Sequence, residues 1–288
     1  MVTGLLSMTL RLTKSNILHK TYKALSIQIS LNGLSFCIHN TLANTIEELR
    51  SFDFSKQNSN NPELLLNEVK QIIEATEILQ QDFDSLKVIY VNHLSAFVPN
   101  AVFDEEHLAE YLKYNIKILT TDFITYDKIE SSELVNVYIP FVNVNNFFLD
   151  WFGQFDYEHF ATILVSKLVN LSKNTDKENV YIHLTGKDEF QIIVIKQKKL
   201  IFYNNFKYQS KEDFIYYLLF VYEQLELNPE LIPTTFIAAV DKEHPLFNIA
   251  YTYIRNVAIY KEKPLFEKYL NMSANEILNN FALINILQ

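Results

Sequence analysis

Glycine is the residue type that most restricts the chemistry open to this chain, because it occurs only four times in 288 residues. Phosphate-binding loops and the turn that exposes a nucleophilic serine need glycines two to five positions apart, where the backbone turns tightly or approaches a ligand. Gly4 and Gly33, the closest pair, are 29 positions apart, and Gly153 and Gly186 are more isolated still. The sequence therefore lacks a dinucleotide fingerprint, a P-loop and a nucleophile elbow.

The histidines give no support to zinc chemistry. None of the seven belongs to an H-E-x-x-H motif, whose spacing places two ligands on one helix face. His107 and Glu110 are three positions apart on a predicted helix, and we interpret them as part of a solvated face. His183 lies in an apolar strand, where an interior, hydrogen-bonded imidazole is the interpretation we favour. We predict no catalytic residue and no metal site.

The run from Lys196 to Tyr208 alternates basic and aromatic residues, a pattern also found in single-strand binders. The chain carries a net charge of −9, which opposes a phosphate backbone. We therefore interpret the run as a hairpin with a charged turn and predict no nucleic-acid partner.

The composition predicts a folded, two-lobed protein. A chain of 33.8 kDa exceeds the size at which one core usually keeps growing. The single Cys37 cannot form an internal disulfide, which favours a reducing compartment. Neither a signal peptide nor an uncharged apolar run of about 18 residues is visible. We expect a cytoplasmic protein without membrane insertion.

Hydrophobic periodicity gives the same element order in both halves. The first half opens with a hairpin over Leu25–Asn40, in which Asn32-Gly33 is predicted to supply the positive φ of a type I′ turn. It continues with a strand near Arg50–Phe54, a helix from Pro62, a strand at Leu86–Tyr90 and a helix after Asp104. The second half has strands at Val180–Leu184, Phe190–Lys196 and Leu200–Tyr203, a helix after a Ser210 capping box, a strand at Thr235–Val240 and a helix after His244.

Both halves thus follow the order β-β-β-α-β-α, which is that of the ribonuclease H-like unit. We predict an α/β protein of two such lobes, residues 1–146 and 147–288, in an actin-like ATPase arrangement. The aromatic stretch Phe147–Phe155 falls at the junction and contains the only Trp. It is either core between the lobes or an exposed surface for a partner.

Three segments resemble those of an uncharacterised Bacteroidetes family: Leu25–Phe36, Val180–Gly186 and Phe247–Val257. The resemblance spans roughly Thr21 to Leu270 and rests on hydrophobic pattern, not on a catalytic motif. It implies an actin-like ATPase fold with no established activity. Some members of that wider fold hydrolyse ATP between the lobes. Others are assembly scaffolds, such as the cytoplasmic proteins of type IV pilus machines.

The resemblance also implies where a nucleotide would bind. ATPases of this fold carry an Asp at the end of the first strand, but no carboxylate lies between Met1 and Ile46 here. Mg²⁺ with phosphates needs one or two carboxylates, and a neutral Asn32 amide cannot replace that charge. The corresponding positions form a vestigial cleft: Asn32, Gly33, Thr185, Gly186, Lys187 and Asp241.

The sequence therefore predicts a non-catalytic actin-like protein that binds a protein partner or acts as a scaffold, without a cofactor. The alternative is an ATP-binding protein or ATPase with non-standard phosphate loops. It would hold ATP and Mg²⁺ with Asn32, Thr185, Lys187 and Asp241.

Overall fold

A computed structural model describes residues 20–54, 62–172, 177–185, 188–261 and 274–286. Its strands are β1 (Lys23–Ser30), β2 (Gly33–Asn40), β3 (Thr45–Asp53), β4 (Ser85–Val91), β5 (Ser95–Pro99), β6 (Thr125–Ile129), β7 (Leu134–Tyr138), β8 (Asp156–His159), β9 (Asn179–Leu184), β10 (Glu189–Lys196), β11 (Lys199–Lys207), β12 (Thr234–Ile237) and β13 (Val257–Ile259). Its α-helices are α1 (Pro62–Ala75), α2 (Leu108–Leu112), α3 (Val142–Phe152), α4 (Phe160–Leu171), α5 (Lys211–Gln224), α6 (Pro245–Tyr253), α7 (Ala274–Asn279) and α8 (Phe281–Asn285).

Two five-stranded sheets have the same topology. The first has the order β3-β2-β1-β4-β8, and the second β11-β10-β9-β12-β13. In each, the first three strands are antiparallel, and the last two run parallel to the first strand. This confirms the two ribonuclease H-like lobes. Each lobe has one more strand than the predicted β-β-β-α-β-α order, because β8 and β13 extend the sheets.

A third sheet, β5-β7-β6, is inserted between β4 and α3 of the first lobe. The helix predicted after Asp104 belongs to this insertion, as the short α2, and not to the repeated unit. Asp104 caps the preceding 3₁₀ turn by accepting a hydrogen bond from the Glu106 backbone N–H at 2.9 Å. Leu112 then packs against Val135 and Val137 of β7. The second helix of the first unit is therefore α3.

Helices α1 and α3 cover the outer face of the first sheet, and α5 and α6 cover that of the second. The stretch Phe147–Phe155 lies mainly on α3, where Phe148 is fully buried against the first sheet and Trp151 is 39% exposed. It is thus core of the first lobe and does not pack between the lobes. The predicted boundary between residues 146 and 147 falls within this helix, whereas the first sheet continues to His159.

Helix α4 lies between the inner faces of the two sheets. Its sequence, FATILVSKLVNL, is apolar around most of its circumference, as expected for a helix that is buried except along one narrow side. Leu164, Val165 and Leu168 are fully buried in one cluster. That cluster also contains Ile89 of β4 and Ile193 of β10. The apolar layer formed by α4 and α8 therefore joins the lobes.

The first hairpin has a different turn from the one predicted. Ser30 pairs with Gly33, so the turn residues are Leu31 and Asn32, and none of Leu31, Asn32 and Gly33 has a positive φ. Gly33 is needed because of a close approach: a Cβ there would lie 2.5 Å from the carbonyl oxygen of Phe52 on β3. The turn with two positive φ angles joins β10 to β11, at Gln197 and Lys198.

We expect Gly33→Ala to lower the free energy of unfolding by about 1–3 kcal/mol, because β2 and β3 must separate to admit the methyl group. Urea unfolding followed by circular dichroism measures the change. Asn32→Ala, one residue away in the turn, is the matched control and should change stability by less than about 0.5 kcal/mol. Equal effects of the two substitutions would contradict this account of Gly33.

Candidate functional site

The turn of the first hairpin is held by its own serine. Ser30 Oγ accepts hydrogen bonds from the backbone N–H groups of Asn32 (3.2 Å) and Gly33 (3.1 Å). The Asn32 carbonyl accepts a hydrogen bond from the Phe54 N–H at 2.8 Å. Backbone N–H groups that cradle a phosphate must point at the ligand. Here the two N–H groups at the predicted phosphate position already have a partner within the turn.

The predicted residues of the second lobe follow two neighbouring strands. Thr185 comes directly after β9, and Asp241 comes four residues after β12, which is parallel to β9. Because the carboxyl ends of parallel strands meet at one sheet edge, these residues lie at the same end of the second sheet. The Thr185 N–H donates to the Glu189 carbonyl at 3.1 Å, and Asp241 Oδ1 accepts from the Glu243 N–H at 2.9 Å.

Gly186 and Lys187, the other two predicted cleft residues, lie outside the described residues. The site as a whole therefore stays a prediction.

The lobes contact each other near the second hairpin. His93, which follows β4, has its Nδ1 3.9 Å from Glu189 Oε2 at the start of β10. Phe97 of β5 packs edge-on against Tyr203 of β11, with 5.1 Å between the ring centroids. The inserted sheet thus reaches across to the second lobe.

A polar cluster that the sequence did not reveal connects the inserted sheet to α4. The carboxylate of Asp127 on β6 accepts three hydrogen bonds: from Tyr138 OH at 2.9 Å, from the His159 N–H at 2.8 Å and from Thr162 Oγ1 at 2.6 Å. Asn136 Nδ2 donates to Thr162 Oγ1 at 3.0 Å. One carboxylate therefore binds β7, β8 and α4 together.

Burial displaces the pKa values in this cluster. It raises the pKa of Asp127 to about 6, against the opposing effect of the three donated hydrogen bonds. It lowers the pKa of His159 to about 3. His159 is neutral in this position, since its Nδ1 accepts from the Ala161 N–H at 3.1 Å. The other ring nitrogen, Nε2, then carries the proton and faces Asn92 Oδ1 at 3.3 Å.

A cavity of about 1050 Å³ adjoins this cluster. It lies between β6, β8 and α4, and both strands are edges of their sheets. Asp127 and Thr162 form part of its wall. A carboxyl group with a raised pKa at a cavity wall is a frequent ingredient of acid–base sites. Here both carboxylate oxygens already accept hydrogen bonds, so the geometry explains Asp127 first as a structural link.

His107 is exposed and His183 is interior, as the sequence indicated, but His183 Nδ1 has no hydrogen-bond partner among the described residues. His107 is exposed, with its Nδ1 2.9 Å from Asp104 Oδ2, and Glu110 pairs with Lys113. His183 is buried against Phe160 of α4, and burial lowers its pKa to about 4. Within the described part of the chain, no group of three or more His, Cys, Asp or Glu residues is placed to hold a metal ion.

The topology of the two lobes, with α4 between them, is that of the actin-like ATPase fold. A Bacteroides thetaiotaomicron protein with this fold and unknown function superimposes with a TM-score of 0.75 at 20% identity, over 88% of this chain and 97% of the other. The PilM–PilN type IV pilus biogenesis complex gives a TM-score of 0.59 at 12% identity, over 90% and 96%. At these identities the likeness shows the fold alone.

Residues 13–257 match the family described as protein of unknown function (DUF3822), and the chain belongs to this family. No curated protein matches the chain. The predicted link to Bacteroidetes agrees with the source of the Bacteroides neighbour. Among the described helices, none is long and apolar enough to cross a membrane.

The displaced pKa values of Asp127 and His159 make the free energy of unfolding depend on pH, and Asp127→Asn is expected to change this dependence. The folded pKa of Asp127 is above its unfolded value, so its ionisation destabilises the fold as pH rises from about 4 to 6. The folded pKa of His159 is below its unfolded value, so the fold gains stability as pH rises from about 3 to 6.5. This pH range overlaps that of Asp127. Asp127→Asn removes the first effect only. Its unfolding free energy should therefore rise with pH more steeply than that of the wild type, by about 1 kcal/mol per pH unit.

Urea unfolding between pH 4 and 7 measures this slope. Asp150→Asn, at an exposed position of α3, is the matched control and should not give the steeper slope. Parallel curves for wild type and Asp127→Asn would show that the Asp127 pKa is not raised.

Proposed function

We propose that this protein is a non-catalytic actin-like scaffold that binds a protein partner, and that its nucleotide cleft is degenerate. The observation that carries the proposal is the first hairpin. Its two N–H groups donate to Ser30 Oγ, and Ser30, Asn32 and Gly33 offer no carboxylate for Mg²⁺. Binding a phosphate there would require breaking both hydrogen bonds, and the hairpin itself supplies no carboxylate to hold a metal ion. Asp53, which lies opposite Gly33, belongs to β3 and not to the hairpin.

The joined lobes support the same proposal. Leu164, Val165 and Leu168 of α4 are buried in one cluster with side chains of both sheets. A layer of this kind favours a single platform over two lobes that open and close around a nucleotide. PilM, which shares the fold, is found in a complex with PilN, so this architecture is compatible with a role in assembly.

Titration of the full chain with ATP and Mg²⁺ in a calorimeter tests the degenerate cleft. We expect no saturable heat up to about 1 mM ATP, equivalent to a binding free energy weaker than about −4 kcal/mol. A phosphate-release assay should give the rate of a buffer blank. An active ATPase with the same fold, assayed in parallel, is the positive control.

Submicromolar ATP binding with turnover would overturn the proposal and establish the alternative. In that case Asn32→Ala and Lys187→Ala should each abolish binding, while Lys242→Ala, in the exposed turn before α6, should not. ATP binding that survives both cleft substitutions would place the nucleotide elsewhere.

A further inference from the structure

The basic and aromatic run Lys196–Tyr208 forms the end of β10 and all of β11, and β11 is the edge of the second sheet. In the part of the chain that the structure describes, no strand pairs with its outer edge. The Tyr208 N–H donates to the Asp188 carbonyl at 2.9 Å. In an antiparallel pair, the backbone N–H and C=O groups of every second residue bond to the neighbouring strand, so the residues of β11 that bond to β10 are found by counting back in twos from Tyr208. The backbone groups of Tyr203, Asn205 and Lys207 therefore face away from the sheet.

This edge forms one wall of a groove of about 850 Å³ whose other wall is the inserted sheet. Phe97 and Pro99 of β5 and the 83% exposed Tyr114 line that second wall. The contact between Phe97 and Tyr203 is where the two walls meet. Ser95 Oγ, also in the groove, is buried without a hydrogen-bond partner among the described residues. The groove thus offers an open strand edge and apolar side chains, with the buried Ser95 hydroxyl behind its surface.

The apolar surface continues from β11 onto α5. Phe206 packs on Tyr217 with 5.0 Å between the ring centroids, and Tyr217 contacts Tyr216. Tyr216 and Phe220 stack on each other and are 63% and 44% exposed. A contiguous aromatic surface of this kind beside an open edge is typical of a protein interface.

The charges along β11 favour one kind of ligand for the groove. Lys207 pairs with Glu189 at 2.9 Å and Lys196 pairs with Glu178 at 2.5 Å. Lys198 and Lys199 are exposed, and no carboxylate of the described residues pairs with either. A second copy of this chain fits the edge poorly. If its β11 paired antiparallel with this β11 over the whole strand, Lys199 of one copy would lie opposite Lys207 of the other, and like charges repel. An acidic segment would instead meet unpaired cations at the start of β11.

We propose that the groove between β5 and β11 binds an extended, acidic segment of a partner protein, which adds a strand to the second sheet. Main-chain hydrogen bonds to the β11 edge supply affinity, and apolar side chains of the segment contact Phe97, Pro99 and Tyr114. A carboxylate of the segment pairs with Lys198 or Lys199. The partner strand displaces the Asn204 side chain, whose Oδ1 accepts from the Asn205 N–H at 2.8 Å. This inference rests on the proposed scaffold function and specifies its binding surface.

A displayed library of random ten-residue peptides, selected on the full chain at low salt, is the test. We expect enriched peptides to alternate apolar residues and to carry Asp or Glu at the end that lies near Lys199. The synthetic peptide with the highest enrichment should slow hydrogen exchange of residues 199–207 at least tenfold. N-methylation of alternate peptide amides should weaken its binding at least tenfold, because the strand hydrogen bonds are lost.

The charge pairing is tested by Lys199→Glu, which should weaken the selected peptide at least fivefold. Lys242→Glu carries the same charge change in a turn three strands away and should alter the affinity less than twofold. Three results would overturn the inference: no enrichment, enrichment of basic peptides, or binding that protects residues other than β11. Protection of β11 by a single-stranded oligothymidylate would also overturn it. The ATP titration is independent, so failure here without ATP binding rejects this surface and leaves the scaffold proposal standing.

Discussion

Burial of α4 between the two sheets is the packing constraint on which the other features of this fold depend. Side chains such as Leu164 and Val165 contact apolar residues of both lobes, and α8 completes the layer. Separating the lobes would expose this layer to water at a cost on the order of 10 kcal/mol, comparable to the whole stability of a typical domain. The two ribonuclease H-like units therefore form one body, and each sheet depends on this shared layer to bury its inner face.

The inserted sheet is attached to this body through polar contacts as well as apolar ones. Asp127 joins β7, β8 and α4 at the point where the first lobe passes into the interlobe helix. A buried carboxylate needs several donors to offset its lost hydration, and this one has three. The same insertion reaches the second lobe through Phe97 and Tyr203. It thus spans both lobes and creates a groove on one side and a cavity on the other.

Local patterns in the sequence predicted the two lobes and most of their elements, but not the insertion or the buried polar contacts. Alternation identified both hairpins, and the Ser210 capping box is present with both of its hydrogen bonds. The inserted sheet was missed because strands such as Thr125–Ile129 are short and carry no periodic signal that distinguishes them from loop. The Asp127 cluster draws on residues of β6, β7, β8 and α4 and on Asn92, which follows β4. Because these residues are far apart in the sequence, no local spacing predicts the cluster. Gly33 was identified as necessary for the wrong reason, since a close approach by Phe52 cannot be read from a turn sequence.

The first hairpin and the edge of β11 differ in whether their backbone groups already have hydrogen-bond partners. In a nucleotide-binding member the hairpin amides must stay free for phosphate, which leaves polar groups that only the ligand satisfies. Here Ser30 satisfies them within the turn, so the hairpin is complete without a ligand. Along the outer edge of β11, by contrast, Tyr203 and Lys207 face no other strand of the described residues, and the Asn205 N–H is held only by the Asn204 side chain. Because unpaired groups at a sheet edge favour pairing with another chain, β11 suits the protein partner that we propose better than the first hairpin does.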